Sequence, residues 1–317
     1  MAPRTDRTVI LVNPEAGGGQ ATKIARAARD YLAQVGYAAD FEEASSAEEL
    51  REKARQAAEA GCRRVVALGG DGTVHQVINA VRHTSLMGEA PHRTAQGEEM
   101  GGAIGIIPCG SGDDFASNLG LPRDPLAACN VLLNGRVRRV DVAEVGAEVY
   151  ACIGGIGLDS MANRRANLAP AWLRGQFRYV LATLRTLAGF QPMDFELRAD
   201  GKVLAGKMTS VIVANARSFG SGLRVAPRAR LDDGLLDVCL FREMSWARML
   251  EVLPRAIHGE HLSEPEVEYF QAREIEIRTD PPGDYYADGD FMARSPVKIR
   301  VLEKALPMLV PMGGASR

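Results

Sequence analysis

The stretch VVALGGDGT at residues 65–73 joins four apolar residues directly to a glycine-rich turn. A short apolar run bounded by glycine indicates a buried strand, and the turn then marks the strand's carboxyl end. Two further runs share this arrangement: residues 8–12 lead into Asn13-Pro14 and a glycine cluster, and residues 103–107 lead into the turn PCGSG. We therefore expect three strands, each followed by a glycine-rich turn.

The segments between these strands have the character of helices. Apolar residues recur at helical spacing within residues 24–35, residues 47–60 are rich in Glu, Arg and Ala, and residues 74–81 are also helical in pattern. Strands that alternate with helices predict an α/β fold, a mostly parallel sheet covered on both faces. Such sheets bind ligands beyond the carboxyl ends of their strands, where the three turns lie. The polar residues 83–100 break the pattern and predict a loop.

The pattern changes after about residue 138. Strand-like runs separated by turn signals follow at residues 140–145, 149–153, 201–213, 235–241, 272–278, 285–288 and 297–301. They predict an antiparallel, β-rich second domain. The expected division is an α/β domain at residues 1–138, completed by residues 302–317, and a β-rich domain with a helical segment at residues 139–301.

Composition limits the class of protein. With 317 residues, of which 46% are apolar and 25% charged, the chain has the length and character of two globular domains. A net charge of −2 argues against nucleic-acid binding. The five cysteines are scattered without a CxxC pair, which favours reduced thiols and a cytoplasmic location. We expect neither a signal peptide nor a membrane span of about 18 to 20 apolar residues, and a homodimer is the default oligomer.

Three glycine-rich turns in one α/β unit are suited to binding phosphate groups. Glycine lets backbone amides approach phosphate oxygens closely, and the N-terminus of a following helix adds partial positive charge. None of the turns has the GxxxxGK[ST] or the GxGxxG pattern. A strand followed by GGDGT, at residues 69–73, resembles instead the turn shared by diacylglycerol kinases, sphingosine kinases, NAD kinases and phosphofructokinases.

Neighbouring motifs select among these families. Asn13-Pro14 resembles the NPxSG turn of the diacylglycerol kinase catalytic-domain family, and PCGSGDDFA at residues 108–116 resembles its PxGTxNDFA. Residues 154–159 resemble its GxGFD, residues 226–237 its APxAxxDDGLLDV and residues 288–290 its DGE. The matches keep their order along nearly the whole chain. The chain is therefore identified as resembling a bacterial-type lipid kinase of this family.

The resemblance implies transfer of the γ-phosphate of ATP, with Mg²⁺, to a lipid hydroxyl in a cleft between two domains. Diacylglycerol is the default substrate, and the enzyme would visit an anionic membrane surface from the cytoplasm. The residues that it implies for ATP are Asn13, Pro14, Gly17, Gly69, Gly70, Asp71, Gly72, Thr73, Val74, His75, Gly110 and Ser111. These expectations suit phosphoryl transfer, which depends mainly on positioning and on neutralising charge.

The family's acidic residues fall on four aspartates with implied catalytic roles. They are Asp71 and Asp114 for Mg²⁺ and the triphosphate, Asp141 near the reaction centre, and Asp290 as the base. Mg²⁺ favours a few hard oxygen ligands completed by water, which carboxylates in tight turns supply. A structural cation site is implied at the carboxylate of Asp233 and the backbone carbonyls of Arg230 and Leu235.

Three departures from the family pattern leave alternatives open. Asp290 replaces the family glutamate, Asp113 replaces an asparagine, and Gln76 replaces a glutamate. A nucleotide- or lipid-binding regulator without activity is one alternative, and an NAD kinase-like enzyme is another. Turn capping by aspartate is the structural alternative for Asp71 and Asp114.

A segment between Asp159 and Asp194 carries positive charge only. It contains five arginines, four aromatic residues, no lysine and no acidic residue. A basic, aromatic-containing helical stretch can rest on an anionic bilayer, while a helical pair packed on the second domain would show the same pattern.

We expect the protein to bind anionic vesicles more tightly than neutral ones. Each arginine near the surface contributes roughly 1 kcal/mol, and salt weakens this attraction as it shortens the Debye length. Co-sedimentation with anionic and neutral vesicles at low and high salt measures both effects. Equal binding to the two kinds of vesicle would contradict the expectation.

Overall fold

The chain divides into two structural units, seen in a computed structural model that describes residues 7–88, 92–93, 99–100, 102–158, 160–161, 190–220 and 222–313. The N-terminal unit comprises Met1–Val140 with Lys304–Arg317, and the C-terminal unit comprises Asp141–Glu303. The sequence predicts borders after residues 138 and 301. Which unit takes ATP and which the lipid stays a prediction.

The N-terminal unit is built on a parallel sheet. The strands of this unit are β1 (Thr8–Val12), β2 (Asp40–Glu43), β3 (Arg64–Gly69), β4 (His92–Arg93), β5 (Glu99–Met100) and β6 (Ala103–Pro108), of which β4 and β5 form a separate antiparallel pair. The order across the sheet is β2, β1, β3, β6, with all neighbours parallel. A strand from the end of the chain adds to β6 in the same direction, with Met308 opposite Ile104. The three predicted glycine-rich turns therefore follow three adjacent parallel strands.

Helices connect these strands. They are α1 (Ala16–Gly19), α2 (Ala21–Gln34), α3 (Ala47–Glu59), α4 (Asp71–Val81), α5 (Ser85–Gly88), α6 (Asp114–Asn118) and α7 (Pro125–Asn134). The first is a turn rather than a regular helix, because Gly17 and Gly18 have φ angles of 63° and 68°. The next two are amphipathic and bury an alanine-rich stripe, in which small side chains allow close packing on the sheet. α3 begins at Ser46, whose hydroxyl accepts a hydrogen bond from the amide of Glu49.

The C-terminal unit is an antiparallel β structure. Its strands are β7 (Arg136–Val145, which starts in the other unit), β8 (Glu148–Tyr150), β9 (Ile153–Gly157), β10 (Met193–Ala199), β11 (Lys202–Ala214), β12 (Leu236–Arg242), β13 (Val267–Ala272), β14 (Glu274–Asp280), β15 (Asp284–Ala287), β16 (Asp290–Arg294) and β17 (Val297–Val310, which ends in the other unit). The path runs β16, β15, β9, β11, β10, β14, β17, and β12 joins β11 to β13. Together the two units confirm the predicted fold class.

Strand β11 connects much of the C-terminal unit, because different parts of its length are hydrogen-bonded to different strands. Its first half pairs with β10, and residues 210–214 pair with β9. β12 lies against this second half, where every residue from Met208 to Ala214 is buried. Strand β14, between β10 and β17, alternates buried residues with exposed or half-buried ones, as expected of a sheet with one face in water. Helix α8 (Trp246–His258) begins at Ser245, whose hydroxyl caps the amide of Arg248.

The structure corrects the sequence interpretation in several places. Residues 83–100 are not only a loop, because they include α5 and the paired two-residue strands β4 and β5. The run predicted at residues 149–153 divides between β8 and β9, and the strand predicted at residues 297–301 continues to Val310. The basic segment lies outside the described residues from 162 to 189. In the part of the chain that is described, no helix is long and apolar enough to cross a membrane.

Candidate active site

The three glycine-rich turns meet at the carboxyl edge of the parallel sheet. A Cβ on Gly17 would lie 2.4 Å from the carbonyl oxygen of Cys109, and a Cβ on Gly110 would lie 2.7 Å from the Cα of Gly70. Both distances are shorter than any Cβ tolerates against backbone, so glycine is required at these contacts. The turn after β1 thus touches the turn after β6, which touches the turn after β3. The sequence predicted all three turns at this edge.

Side-chain hydrogen bonds connect the turns further. The side-chain amide of Asn13 donates to the hydroxyl of Thr73 at 3.1 Å, and its oxygen accepts the amide of Glu15 at 3.2 Å. Thr73 packs against Gly69, where an added Cβ would lie 2.2 Å from its hydroxyl oxygen. Asn13 is therefore positioned by two neighbouring turns and remains half-buried at the edge.

Asp71 and Asp114 begin the helices that follow the second and third turns. One carboxylate oxygen of Asp71 accepts the backbone amide of Phe115 at 3.1 Å, which ties the start of α4 to the start of α6. Both aspartates are half-buried. Ser111, in the turn after β6, is exposed. The N-terminal unit therefore brings two carboxylates and a hydroxyl to the edge where the three glycine-rich turns meet.

Asp113 is a third carboxylate in this region, and its environment differs. It is buried, with a left-handed backbone at φ 51°, and its carboxylate accepts the amide of Gly110 at 2.9 Å. Burial raises the pKa of Asp113 from 3.8 to about 6, the Gly110 hydrogen bond lowers it in part, and the negative Asp71 adds to the rise. The charge of Asp113 is therefore only partly compensated by its neighbours.

His75 does not present its side chain at this edge. The imidazole is buried in α4, and its Nε2 lies 3.3 Å from the side-chain amide of Asn79 one turn later. Val74 beside it is also buried. Any contact of these two residues with a nucleotide would have to use the backbone, and their implied role in ATP binding stays a prediction.

In the C-terminal unit, Asp141 holds the loop that contains the DDG motif. Asp141 is fully buried. Its amide donates to the carbonyl of Leu231 at 2.6 Å, and its carboxylate accepts the amide of Gly234 at 2.7 Å. These bonds fix both ends of a four-residue turn, so the geometry gives Asp141 a structural task beside any role near a reaction centre.

Asp233 lies inside this turn. One of its carboxylate oxygens accepts the amide of Leu235 at 3.2 Å, and the other accepts the side-chain amide of Gln271 at 3.3 Å. Gln271 also reaches Asp237, whose carboxylate accepts the hydroxyl of Tyr269 at 2.6 Å. Burial raises the pKa of Asp237, and the neighbouring charge of Asp233 contributes.

A single carboxylate in a glycine turn with backbone carbonyls is a donor set that suits a hard cation. Arg230, directly before this turn, is exposed, and Leu235, directly after it, is half-buried. Within the described ranges, no group of three or more His, Cys, Asp or Glu side chains is arranged to hold a metal ion. The cation at Asp233, Arg230 and Leu235 therefore stays a prediction that rests on the family resemblance and on the oxygen chemistry of this turn.

Asp290 opens strand β16 and is exposed. It follows the turn Asp288-Gly289, whose two φ angles of 49° and 94° are both left-handed. The carboxylate of Asp288 accepts the backbone amides of residues 151, 152 and 153 at 2.7 to 3.1 Å. The sequence named Asp290 but gave no signal for the three amides, because they lie more than 130 residues away along the chain.

Asn215 is a buried polar residue that the sequence interpretation missed. Its side-chain amide donates to the backbone carbonyls of Asp141 and Ala151, both at 2.8 Å. Its position directly after the apolar run of β11 was the only available signal, because an asparagine at the end of a buried strand must find partners there.

We expect Asp113→Asn to flatten part of the pH dependence of stability. Between about pH 4 and pH 6 the folded wild type retains a proton that the unfolded chain has released, so its stability falls as pH rises through this window. At about 1.4 kcal/mol per pH unit, the wild type loses roughly 2 to 3 kcal/mol relative to the variant. Urea unfolding of both proteins at pH 4 and pH 7 measures the difference, and parallel pH profiles would contradict it.

Comparison with known proteins identifies the family. A model of the diacylglycerol kinase catalytic domain matches residues 7–145, and a model of the YegS C-terminal NAD kinase beta sandwich-like domain matches residues 152–310. The two matched segments follow the division of the structure into an α/β unit and a β-rich unit.

Full-length relatives agree with these matches. A diacylglycerol kinase from Mycobacterium tuberculosis is 30% identical over 97% of this chain and 96% of its own. A YegS-like lipid kinase from Chromohalobacter salexigens is 29% identical over 83% of this chain and 80% of its own. A crystal structure of a diacylglycerol kinase from Bacillus anthracis has the same fold, with a TM-score of 0.75 and 22% identity over 97% of this chain and 98% of that one. The chain therefore belongs to the diacylglycerol kinase family.

Proposed function

We propose that this protein is an ATP-dependent kinase that transfers the γ-phosphoryl group of ATP to a lipid hydroxyl, with diacylglycerol as the first substrate to test. The observation that carries the proposal is the meeting of three glycine-rich turns with Asp71 and Asp114 at one sheet edge. Membership of the diacylglycerol kinase family supports the interpretation of this edge as a nucleotide site over that of an ordinary set of turns.

On the nucleotide side, the exposed backbone of the glycine turns binds phosphate oxygens. Asn13 and Ser111 supply polar side chains beside them, and the starts of helices α4 and α6 point amide groups toward the same edge. The carboxylates of Asp71 and Asp114 would hold Mg²⁺ together with the triphosphate. When bound, Mg²⁺ supplies positive charge against the charge that develops during transfer.

On the acceptor side, Asp290 binds and orients the lipid hydroxyl and accepts its proton. Its exposed position at the start of β16 suits a group that must meet a substrate. Phosphoryl transfer through a loose transition state needs little base strength, so a carboxylate suffices. Asp141 holds the turn of Asp233, and its implied role near the reaction centre remains part of the proposal.

The lipid acceptor rests on the named relatives. Two of them are named a diacylglycerol kinase and a YegS-like lipid kinase, and they share 30% and 29% identity with this chain. At this identity the acceptor class is supported better than the individual lipid. Phosphatidylglycerol, a sphingoid base or another lipid alcohol are therefore tested beside diacylglycerol.

The second candidate is a binding protein on the same scaffold without activity. Asp113 favours it, because a buried carboxylate beside Asp71 adds negative charge where phosphate groups would bind. Radiolabelled ATP incubated with diacylglycerol, other lipid alcohols and extracted lipids separates the two candidates. Labelled lipid supports the kinase, whereas nucleotide binding without transfer to any lipid supports the second candidate.

We expect Asp71→Asn to lose about 100-fold or more of kcat while the fold persists, because neutralising one preorganised charge in a transfer site typically has this effect. Asparagine keeps an oxygen for the amide of Phe115, so stability should change little. Asp124→Asn is the matched control, since Asp124 also accepts a backbone amide at a helix start in this unit. Wild-type turnover in the Asp71 variant at saturating ATP and Mg²⁺ would contradict its role.

We expect Asp290→Asn to lower kcat by roughly 10²- to 10⁴-fold, the usual contribution of a positioned base, without changing the KM for ATP. Asp290→Glu restores the family residue and should retain activity. Asp284→Asn, on the partner strand of the same hairpin, controls for general disturbance. If the asparagine variant turns over like the wild type with the best lipid, Asp290 is not the base.

A further inference from the structure

Asp288 forms hydrogen bonds to residues 151–153 through both its carboxylate and its backbone amide. Its carboxylate accepts the amides of Ala151 at 2.7 Å, Cys152 at 3.0 Å and Ile153 at 3.1 Å. Its own amide donates to the carbonyl of Ile153 at 3.0 Å. Hydrogen bonds from amides to an ionised carboxylate are stronger than bonds between neutral groups. Such a set fixes both the side chain and the backbone of Asp288.

The backbone at this turn requires such fixing. Asp288 has a left-handed φ of 49° and Gly289 a φ of 94°. A left-handed residue with a Cβ is strained, and aspartate tolerates it when local hydrogen bonds compensate. The turn joins β15 to β16, and Ala287 pairs with Asp290 directly across it. The position of Asp290 is therefore determined by how firmly Asp288 is bound.

Asn215 extends this arrangement to the DDG turn. Its side-chain amide donates to the carbonyl of Ala151, in the segment that binds Asp288, and to the carbonyl of Asp141. The carboxylate of Asp141 in turn accepts the amide of Gly234. One hydrogen-bonded network within the C-terminal unit thus runs from the predicted cation turn to the turn that presents Asp290.

We infer that Asp288 is a positioning residue, whose amide-bound carboxylate places Asp290 for the lipid hydroxyl. The inference rests on the proposed function, because it needs Asp290 to act on the acceptor. Asp288 itself does not act on the substrate, since its carboxylate oxygens are engaged by three amides. A displacement of about 1 Å in a reacting group costs up to about 100-fold in rate, so loss of this support should be visible in turnover.

Asp288→Asn is the test, because asparagine adopts the left-handed backbone but offers a single oxygen to the three amides. We expect kcat for lipid phosphorylation to fall about 10- to 100-fold with the KM for ATP within about twofold. In the Asp290→Asn background the same substitution should have no further effect on kcat, because a residue that acts only through Asp290 has nothing left to position. Equal losses in both backgrounds, or wild-type kcat in the single variant, would overturn the inference.

Asp200 offers a matched control. It also has a left-handed φ of 46°, precedes a glycine, and accepts the backbone amides of Arg273 and Glu274 at 2.8 and 2.9 Å. Asp200→Asn should lower the melting temperature to a similar extent as Asp288→Asn and leave kcat at the wild-type value. An equal loss of kcat in both variants would show that any loosened turn has this effect and would overturn the specific role of Asp288.

Two further measurements distinguish a folding defect from a loss of the positioning role. If Asp288→Asn does not fold, Asp288→Gly replaces it, because glycine adopts the same backbone without strain. The outcomes stated for Asp288→Asn then apply to the glycine variant. Failure of both variants to fold where Asp200→Asn folds would show a role in the whole unit and overturn the inference. If Asp290→Asn itself retains wild-type turnover, Asp290 is not the base and the inference about Asp288 is overturned with it. If the wild type labels no lipid, the proposed function has failed instead.

Discussion

The absence of a Cβ at a few glycines determines how closely the turns of the N-terminal unit approach each other. Any side chain at Gly17 or Gly110 would collide with backbone atoms, which cannot move without separating the strands behind them. The hydrogen bonds from Asn13 to Thr73 and from Phe115 to Asp71 span these turns and depend on the same approach. The phosphate site proposed for this edge would depend on this close approach, which the absence of side chains at these glycines allows.

The aspartates of the two units differ in how their charge is satisfied. Asp141 and Asp288 are bound by backbone amides, and both serve to hold turns in place. Asp113 has one amide, lies near another carboxylate and has a pKa raised to about 6. The carboxylate of Asp288, with three amides, is satisfied within the scaffold, whereas the charge of Asp113 is only partly compensated by its neighbours.

The sequence predicted those strands and turns that a local pattern of apolar residues and glycine defines. The buried strands β1, β3 and β6 and their glycine turns follow from short apolar runs bounded by glycine, and all were predicted. Strands β10 and β13 were not, because charged residues interrupt them and their pairing partners are needed to recognise them. Helices α7 and α8 were missed as well.

Within the candidate site, the family resemblance implied Asp71, Asp114, Asp141, Asp233 and Asp290 as candidates. It did not reveal that Asp288 binds a segment more than 130 residues earlier, or that His75 is buried. Contacts between distant segments are set by the tertiary fold, and no local pattern contains them.

The parallel sheet of the N-terminal unit contains both the first and the last strand of the described residues, β1 and β17. Met308 pairs beside Ile104, roughly 200 residues earlier, and the whole C-terminal unit is encoded between them. While the chain emerges from a ribosome, β6 therefore has an open edge of unpaired backbone groups until the final strand arrives. Closing so long a loop is slow, and an open edge is where chains associate wrongly. The half of the protein that is translated first is thus the half whose sheet is completed last.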